Sequence, residues 1–241
     1  MKKSFLPLIA VTACAVGSMT FAPHNAQAQT VYTPTGNSTV FDFFNIYPIE
    51  KPSEASGDPY VSGFKLKVEE YNSNKVLLRF INNSTDANMF VGSVYIDDQD
   101  SAPLLTLLNA TANKVFYNTG ANVQFANPST GGNLPQGNKI GFDSDITTTR
   151  LTGSANAKAI QSGESLGILF GGSYSNVVAG FTGGKMAAGF HLQNIGANGD
   201  SDAFSTIPSR AVPLPPLALG LLAAAGFGGL RLTRRSSKAA K

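Results

Sequence analysis

The chain alternates between short apolar-polar repeats and stretches of Gly, Asn, Ser and Thr. In "GFKLKVEEY", Phe64, Leu66 and Val68 alternate with Lys65, Lys67 and Glu69. A period of two marks a strand with one face buried and the other wet. "KVLLRFIN" follows after Asn72, Ser73 and Asn74, so the two runs predict a hairpin. "MFVGSVYID" predicts a further strand, with Phe90, Val94 and Ile96 on one face. More strands are expected at Val123–Phe125, Ile146–Leu151, Ser165–Phe170 and Met186–Ile195. One helix is expected over Tyr174–Phe181, with Ser173 as N-cap and Gly183-Gly184 as its stop. Many short strands with Gly/Asn-rich connections predict an all-β chain, an antiparallel β-sandwich or jelly-roll-like domain with that one short helix. No repeat of fixed period is present. The segments Thr30–Gly36 and Pro208–Pro216 read as flexible ends.

Both ends of the chain break the pattern. Lys2 and Lys3 precede an apolar run from Phe5 to Phe21, and "NAQAQT" places Ala26 and Ala28 at the small-residue positions of a signal-peptidase site. The expected cut is after Ala28, making residues 1–28 a signal peptide. An uncleaved anchor and lipidation of Cys14 in "VTAC" are the alternatives. Cleavage at Ala28 removes the single cysteine. An exported domain without disulfides must be held by its core, and the 184 residues from Gln29 to Val212 are enough to build one.

The other end, residues 211–241, consists of a proline-rich hinge, an apolar run over Leu217–Leu232 and a basic tail. Sixteen residues of helix span about 24 Å, short of the ~30 Å of a bilayer core. Arg231, Arg234 and Arg235 form a basic stop that belongs on the cytoplasmic side. Signal cleavage puts the preceding domain outside, so the two topological signals agree.

Separating the ends changes the charge picture. Of 18 Lys+Arg, two lie in the signal region and five in the tail, and neither end has an acid. The middle therefore carries 11 bases against 15 acids, a net charge of −4. This gives no electrostatic reason to bind nucleic acid.

The order "VPLPP", apolar helix, "RLTRR" resembles a VPLPA-CTERM sorting signal, a variant of the PEP-CTERM signals. Such tails are recognised by exosortases, membrane peptidases of bacteria that make extracellular polysaccharide. The resemblance implies that Val212, Pro213, Leu214 and Pro215 are the recognition motif. Pro216 stands where the family usually has Ala. The middle of the chain also resembles small exported proteins that carry such tails, through "FINNSTDANMFVGSVYIDD", "NLPQGN", "GESLGILF" and "GFHLQNIGANGDSDAF". The resemblance implies location and partners: signal peptidase, an exosortase, the membrane before processing, and extracellular polysaccharide nearby. It implies no chemistry. Residues 29–210 are thus expected to form an exported β-sandwich domain at the cell surface or in the matrix.

Three constellations could carry chemistry. "GESLG" at Gly163–Gly167 fits the G-x-S-x-G pattern of a nucleophile elbow on Ser165, which requires a strand, a sharp turn and a helix. "ILFGG" follows instead, and no acid lies between Ser165 and His191. The plainer reading is a turn feeding a buried strand. His191 is the one histidine left after signal removal, too few ligands for zinc, and is expected to be a hydrogen-bonded strand residue. Asp97, Asp98 and Asp100, Asp143 and Asp145, and Asp200 and Asp202 cluster in loops, where they are candidate calcium ligands or simple turn formers. A glycan-binding module is the alternative to a non-catalytic surface protein. It would use Tyr rings, since the chain has no Trp.

Overall fold

The computed structural model describes residues 36–46, 56–98, 101–120, 122–152 and 158–207. The two termini, Asp100, and the sorting and signal motifs lie outside these residues. Among the described residues ten strands form two antiparallel sheets. Sheet A has the order β1 (Ser38–Asp42), β3 (Phe64–Asn72), β4 (Lys75–Asn82), β8 (Glu164–Gly171). Sheet B has the order β2 (Phe44–Asn45), β10 (Asp200–Ser205), β9 (Met186–Ile195), β5 (Phe90–Asp98), β7 (Ile146–Thr149), β6 (Ser129–Thr130). The one α-helix among the described residues, α1 (Tyr174–Thr182), carries the chain from β8 to β9.

Alternation builds the core. Phe64, Leu66 and Val68 of β3, Val76, Leu78 and Phe80 of β4, and Leu166, Ile168 and Phe170 of β8 pack in one cluster with Val94 and Ile96 of β5 and Phe190 and Leu192 of β9. The two sheets therefore face each other across a shared apolar layer. At its centre is a group of phenylalanines. The Phe190 ring lies 4.7 Å from Phe43, edge-on, 4.7 Å from Phe64 and 5.2 Å from Phe204. Phe43 is the residue between β1 and β2, where the chain leaves sheet A and joins sheet B. Its buried ring ties that crossover to both layers.

The expected hairpin joins β3 and β4, with Asn72 opposite Lys75 and Ser73-Asn74 at the turn. The Asn74 N–H donates to Asn72 Oδ1 at 3.1 Å, a local side-chain turn. The strands expected at Ser165–Phe170 and Met186–Ile195 are present as β8 and β9. The helix ends where expected. Gly184 has φ +66°, and the Lys185 N–H donates to the Gly180 carbonyl at 2.9 Å. This left-handed turn satisfies the last carbonyls. Ser173 occupies the N-cap position, but its hydroxyl bonds Ser175 Oγ (3.0 Å) and caps no backbone N–H.

Four expectations need correction. Val123–Phe125 is not a strand; Phe125 makes one isolated bridge to Arg150. β7 stops at Thr149 rather than Leu151. In β5 the register shifts between Val91 and Ser93, which inserts Gly92 as an extra residue. The shift puts Val91, not Phe90, in the core beside Val94 and Ile96. Phe90 turns to the opposite face, under the Arg150 guanidinium at 5.0 Å. A bulge of this kind reverses the parity that alternation alone would assign. Finally, Lys65, Lys67 and Glu69 do not share one wet face, because Glu69 is buried.

The outer faces are covered by loops. Leu134 and Phe142, from the segment between β6 and β7, pack on Tyr95, Ala187 and Ala203 of sheet B. Gly189 makes this possible, since a Cβ there would stand 2.6 Å from Leu134 Cδ2. On sheet A, the segment from Leu104 to Thr119 runs along the free edge of β8. Thr106 and Gly171 exchange backbone hydrogen bonds at 2.9 Å, Leu169 donates to Val115, Tyr117 donates to Gly167, and Ser165 and Thr119 bond each other. Among the described residues no helix is long and apolar enough to cross a membrane; the Leu217–Leu232 segment lies outside them.

Phe190→Ala should lower the unfolding free energy by about 3–5 kcal/mol, because the emptied volume is bordered by the rings of Phe43, Phe64 and Phe204 in the closed core. Phe44→Ala, at a residue 39% exposed, should change it by less than about 0.5 kcal/mol. Denaturant titration of the two variants checks the contrast.

Candidate functional site

Ser165 lies on β8, one residue out of phase with Leu166 and Ile168, so its side chain points away from the core. Gly163 supplies the turn with φ +79°, and the strand begins at Glu164. No helix follows Ser165 directly, so the geometry of a nucleophile elbow is not formed. The Ser165 hydroxyl is buried and meets Thr119 Oγ1 at 2.7 Å and Arg79 Nη1 at 3.3 Å. No imidazole is among its hydrogen-bond partners. His191 lies on β9 of the other sheet, out of phase with Phe190 and Leu192, so the whole apolar layer separates the two side chains.

What surrounds Ser165 is an ionic network. Glu69 Oε2 accepts from Arg79 Nε at 2.9 Å, and Glu69 Oε1 pairs with Lys67 Nζ at 2.8 Å. Arg79 Nη1 also donates to the Tyr117 carbonyl at 2.7 Å. The Glu69 side chain is only 2% exposed, so its charge depends on these partners. Gly167 lets the Tyr117 backbone approach, since a Cβ there would lie 2.5 Å from the Tyr117 oxygen. The network thus fastens the edge-covering segment to sheet A. No sequence signal pointed to Arg79, Thr119 or the buried state of Glu69. The partner, Tyr117, is 38 residues from Arg79.

The aspartates divide into two groups. Asp97 and Asp98 face Ala187 and Met186 at the start of β9, while Asp200 faces Ile195 at its end. Nine residues of strand put these groups roughly 30 Å apart, so they do not form one site. Asp98 is buried and accepts from the Leu104 N–H (2.9 Å) and the Leu105 N–H (2.8 Å). Burial pushes its carboxyl above the ordinary carboxylate range. The two N–H bonds oppose that shift and the nearby Asp145 charge adds to it. Asp145 Oδ2 accepts from the Asp98 N–H at 2.6 Å, and Asp97 Oδ2 accepts from the Asp143 N–H at 3.0 Å. Asp202 accepts from the Gly57 N–H (3.0 Å) and the Ala203 N–H (2.7 Å). These are turn- and loop-fastening roles, the plainer of the two sequence readings. Among the described residues no three His, Cys, Asp or Glu side chains are grouped so as to hold a metal ion. Asp100 lies outside those residues.

Sequence could not decide which Tyr rings would be coplanar and exposed. Tyr71 and Tyr117 come together, with centroids 5.4 Å apart, hydroxyls 2.8 Å apart and Lys114 over the Tyr117 ring. Their planes are inclined at 58°, and both are half-buried. Two rings so inclined do not present one flat platform to a sugar.

His191 sits opposite Ser93 and Ala203 in the sheet, with Gln193 Nε2 at 3.4 Å from Nδ1. Burial holds its pKa below the ordinary value of 6.5. No protein-family model, curated protein or solved structure matches the chain.

Two predictions follow from this geometry. Arg79→Leu should destabilise the fold by roughly 3–5 kcal/mol, because it leaves a buried carboxylate under-compensated. Lys65→Ala should cost no more than about 1 kcal/mol, since its partner Asp42 is 63% exposed; chemical denaturation of both variants tests the difference. The second concerns pH. Above pH ~6.5 His191 is neutral in both states. As pH falls below that value, the unfolded chain takes up the proton before the folded one does. Stability should therefore drop across the window between 6.5 and the depressed folded pKa. His191→Gln should flatten that part of the stability–pH curve, and an unchanged slope would contradict the assignment.

Proposed function

We propose that the chain is an exported, non-catalytic surface or matrix-associated protein. In this reading, a β-sandwich over residues 29–210 is delivered by a signal peptide ending at Ala28 and released by exosortase processing at Val212–Pro215. The observation that carries the reading is the order of the C-terminal segment: VPLPP, a short apolar run, then Arg231, Arg234 and Arg235. The described fold is compatible with it, because two antiparallel sheets enclose one apolar layer without a cysteine. Three of the polar side chains singled out in the sequence have bonds that fasten loops to the sheets, which supports the reading. Ser165 bonds Thr119, Asp98 bonds Leu104 and Leu105, and Asp202 bonds Gly57.

Chain length adds an orientation. Ile207 packs with Ile46, Leu134 and Phe142 at the end of β10. Val212 lies five steps along the chain from it, a reach of at most about 18 Å. A domain tethered at Val212 therefore keeps the β10 end toward the membrane until the tail is removed. The Leu217–Leu232 run is short and Gly/Ala-rich, which suits a temporary span. A charge at the bilayer centre costs about 2.5–3.5 kcal/mol on insertion scales, so the arginines hold its far end inside.

Intact-mass and N-terminal analysis of the surface protein tests the proposal. The mature form should begin at Gln29, carry no lipid and lack everything from about Leu217 onward. A strain without the exosortase should keep the longer form in the membrane, and Arg231→Ser, Arg234→Ser and Arg235→Ser together should impair retention and processing. A surface protein that still ends at Lys241 with the exosortase present overturns the sorting reading.

A further inference from the structure

We propose that β1 is a self-association edge, on which a second copy of this chain pairs its own β1 antiparallel about a two-fold axis at Val40. The inference does not depend on tail processing.

The direction of the backbone groups starts the argument. β1 pairs with β3 so that Ser38 faces Glu69 and Asp42 faces Lys65. One step further out, the Glu70 N–H donates to the Asn37 carbonyl at 2.8 Å. Bonded and non-bonded pairs alternate along an antiparallel ladder. Thr39 and Phe41 are therefore the residues bonded to β3, and the N–H and C=O groups of Ser38, Val40 and Asp42 point away from the sheet. Among the described residues nothing hydrogen-bonds to those outward groups. An unpaired edge of this kind is a template for another strand.

The remaining sheet edges among the described residues are closed or shorter: β10 is covered by β2 at Phe204 and Ser205, and in its uncovered stretch the Ala203 N–H is taken up by Asp202 Oδ1. β8 is bonded to the Leu104–Thr119 segment, and β2 and β6 have two residues each. β1, with five residues, is the long edge left open. It also carries surface-exposed apolar surface. Val40 is 55% exposed at the middle of the strand. An exposed apolar side chain on an unpaired strand favours burial against another chain.

The strand is complementary to itself. With Val40 opposite Val40, Ser38 stands opposite Asp42 of the second copy, and Asp42 opposite Ser38. The three residues with outward backbone groups are then the ones that meet. A hydroxyl donor meets each carboxylate acceptor, and no two like charges are opposed. The carboxylate is already flanked by Lys65 Nζ at 2.7 Å. The four strands of sheet A would continue into the four of the second copy, the isologous arrangement of a two-fold dimer. A five-residue strand pair buries less surface than the ~1,200 Å² of a standard stable interface. The dimer is accordingly a weak one, populated where copies are crowded.

Cysteine cross-linking in the full chain, expressed in cells and oxidised with copper phenanthroline, tests the register. Wild type, with Cys14 as its single cysteine, sets the background. Directly bonded strand residues have Cα atoms about 5.5 Å apart, within disulfide range. Val40→Cys should give dimer at about tenfold or more over Phe44→Cys, which is exposed but off the axis. Ser38→Cys and Asp42→Cys should each stay at background alone, because like positions lie roughly 13 Å apart along the strand, and should cross-link when the two variants are co-expressed. Equal linking by Val40→Cys and Phe44→Cys, no linking by Val40→Cys, or linking of Val40→Cys to other proteins alone would overturn the proposal. Thermal melting of each variant confirms that the substituted chains are folded.

Discussion

The ring of Phe190, held between Phe43, Phe64 and Phe204, is the contact on which the rest of this fold depends. Each partner comes from a different part of the chain: the β1–β2 crossover, the start of β3, and β10. Edge-on and tilted ring pairs add about 0.5–1.5 kcal/mol each beyond the burial of apolar area. Their placement also has a topological consequence. Phe43 fixes where the chain changes sheets, so the eight residues from Ser38 to Asn45 serve as the edge strand of both layers. With no disulfide available to the described domain, this packing has to supply what a cross-link would supply in many exported proteins.

Around that layer, the polar residues act as fasteners. Arg79 joins the Glu69 carboxylate, the Tyr117 carbonyl and the Ser165 hydroxyl, and so locks a long irregular segment over the β8 edge. Asp98 begins the same segment by accepting from Leu104 and Leu105. One edge is closed by these two residues acting from opposite ends, while β1 at the other side of the sheet is left open. At the closed edge, polar residues that read as candidates for chemistry hold loop to sheet. A buried carboxylate or guanidinium is tolerated only with partners; here Glu69 is held by the Arg79 and Lys67 side chains, while Arg79 and Asp98 also bind backbone groups of the loop.

The strands over Phe64–Asn82, Glu164–Gly171 and Met186–Ile195, and the helix with its Gly183-Gly184 stop, were legible in the sequence. Their signals are local: alternation every second residue, turn formers between runs, and a glycine pair after a helical stretch. The β1, β2, β6 and β10 strands were not anticipated. "STVFDFFN" contains apolar residues at both parities because the chain crosses between sheets, and in "DSDAFS" the polar residues Asp202 and Ser205 are buried, so no wet face marks the strand. The Phe90 face was misjudged for a related reason. One inserted residue at Gly92 exchanges the two faces, and the lone glycine inside the run was its one local sign.

By itself the sequence determined the antiparallel, strand-rich character of the chain, most of the long strands, and the turn that feeds Ser165. Periodicity and turn chemistry act over a few residues and can be read in any short window. Tertiary structure decided which polar residues are buried, which edges are closed and which aspartates are near each other. Glu69 is indistinguishable from Lys67 in the alternating pattern, yet it is buried and paired with Arg79, which also holds the Tyr117 carbonyl 38 positions away. Asp98 and Asp200 both read as loop acids, yet β9 holds them at opposite ends of one strand. Such outcomes depend on contacts between residues far apart in the chain, and those contacts exist only once the two sheets have closed on the phenylalanines between them.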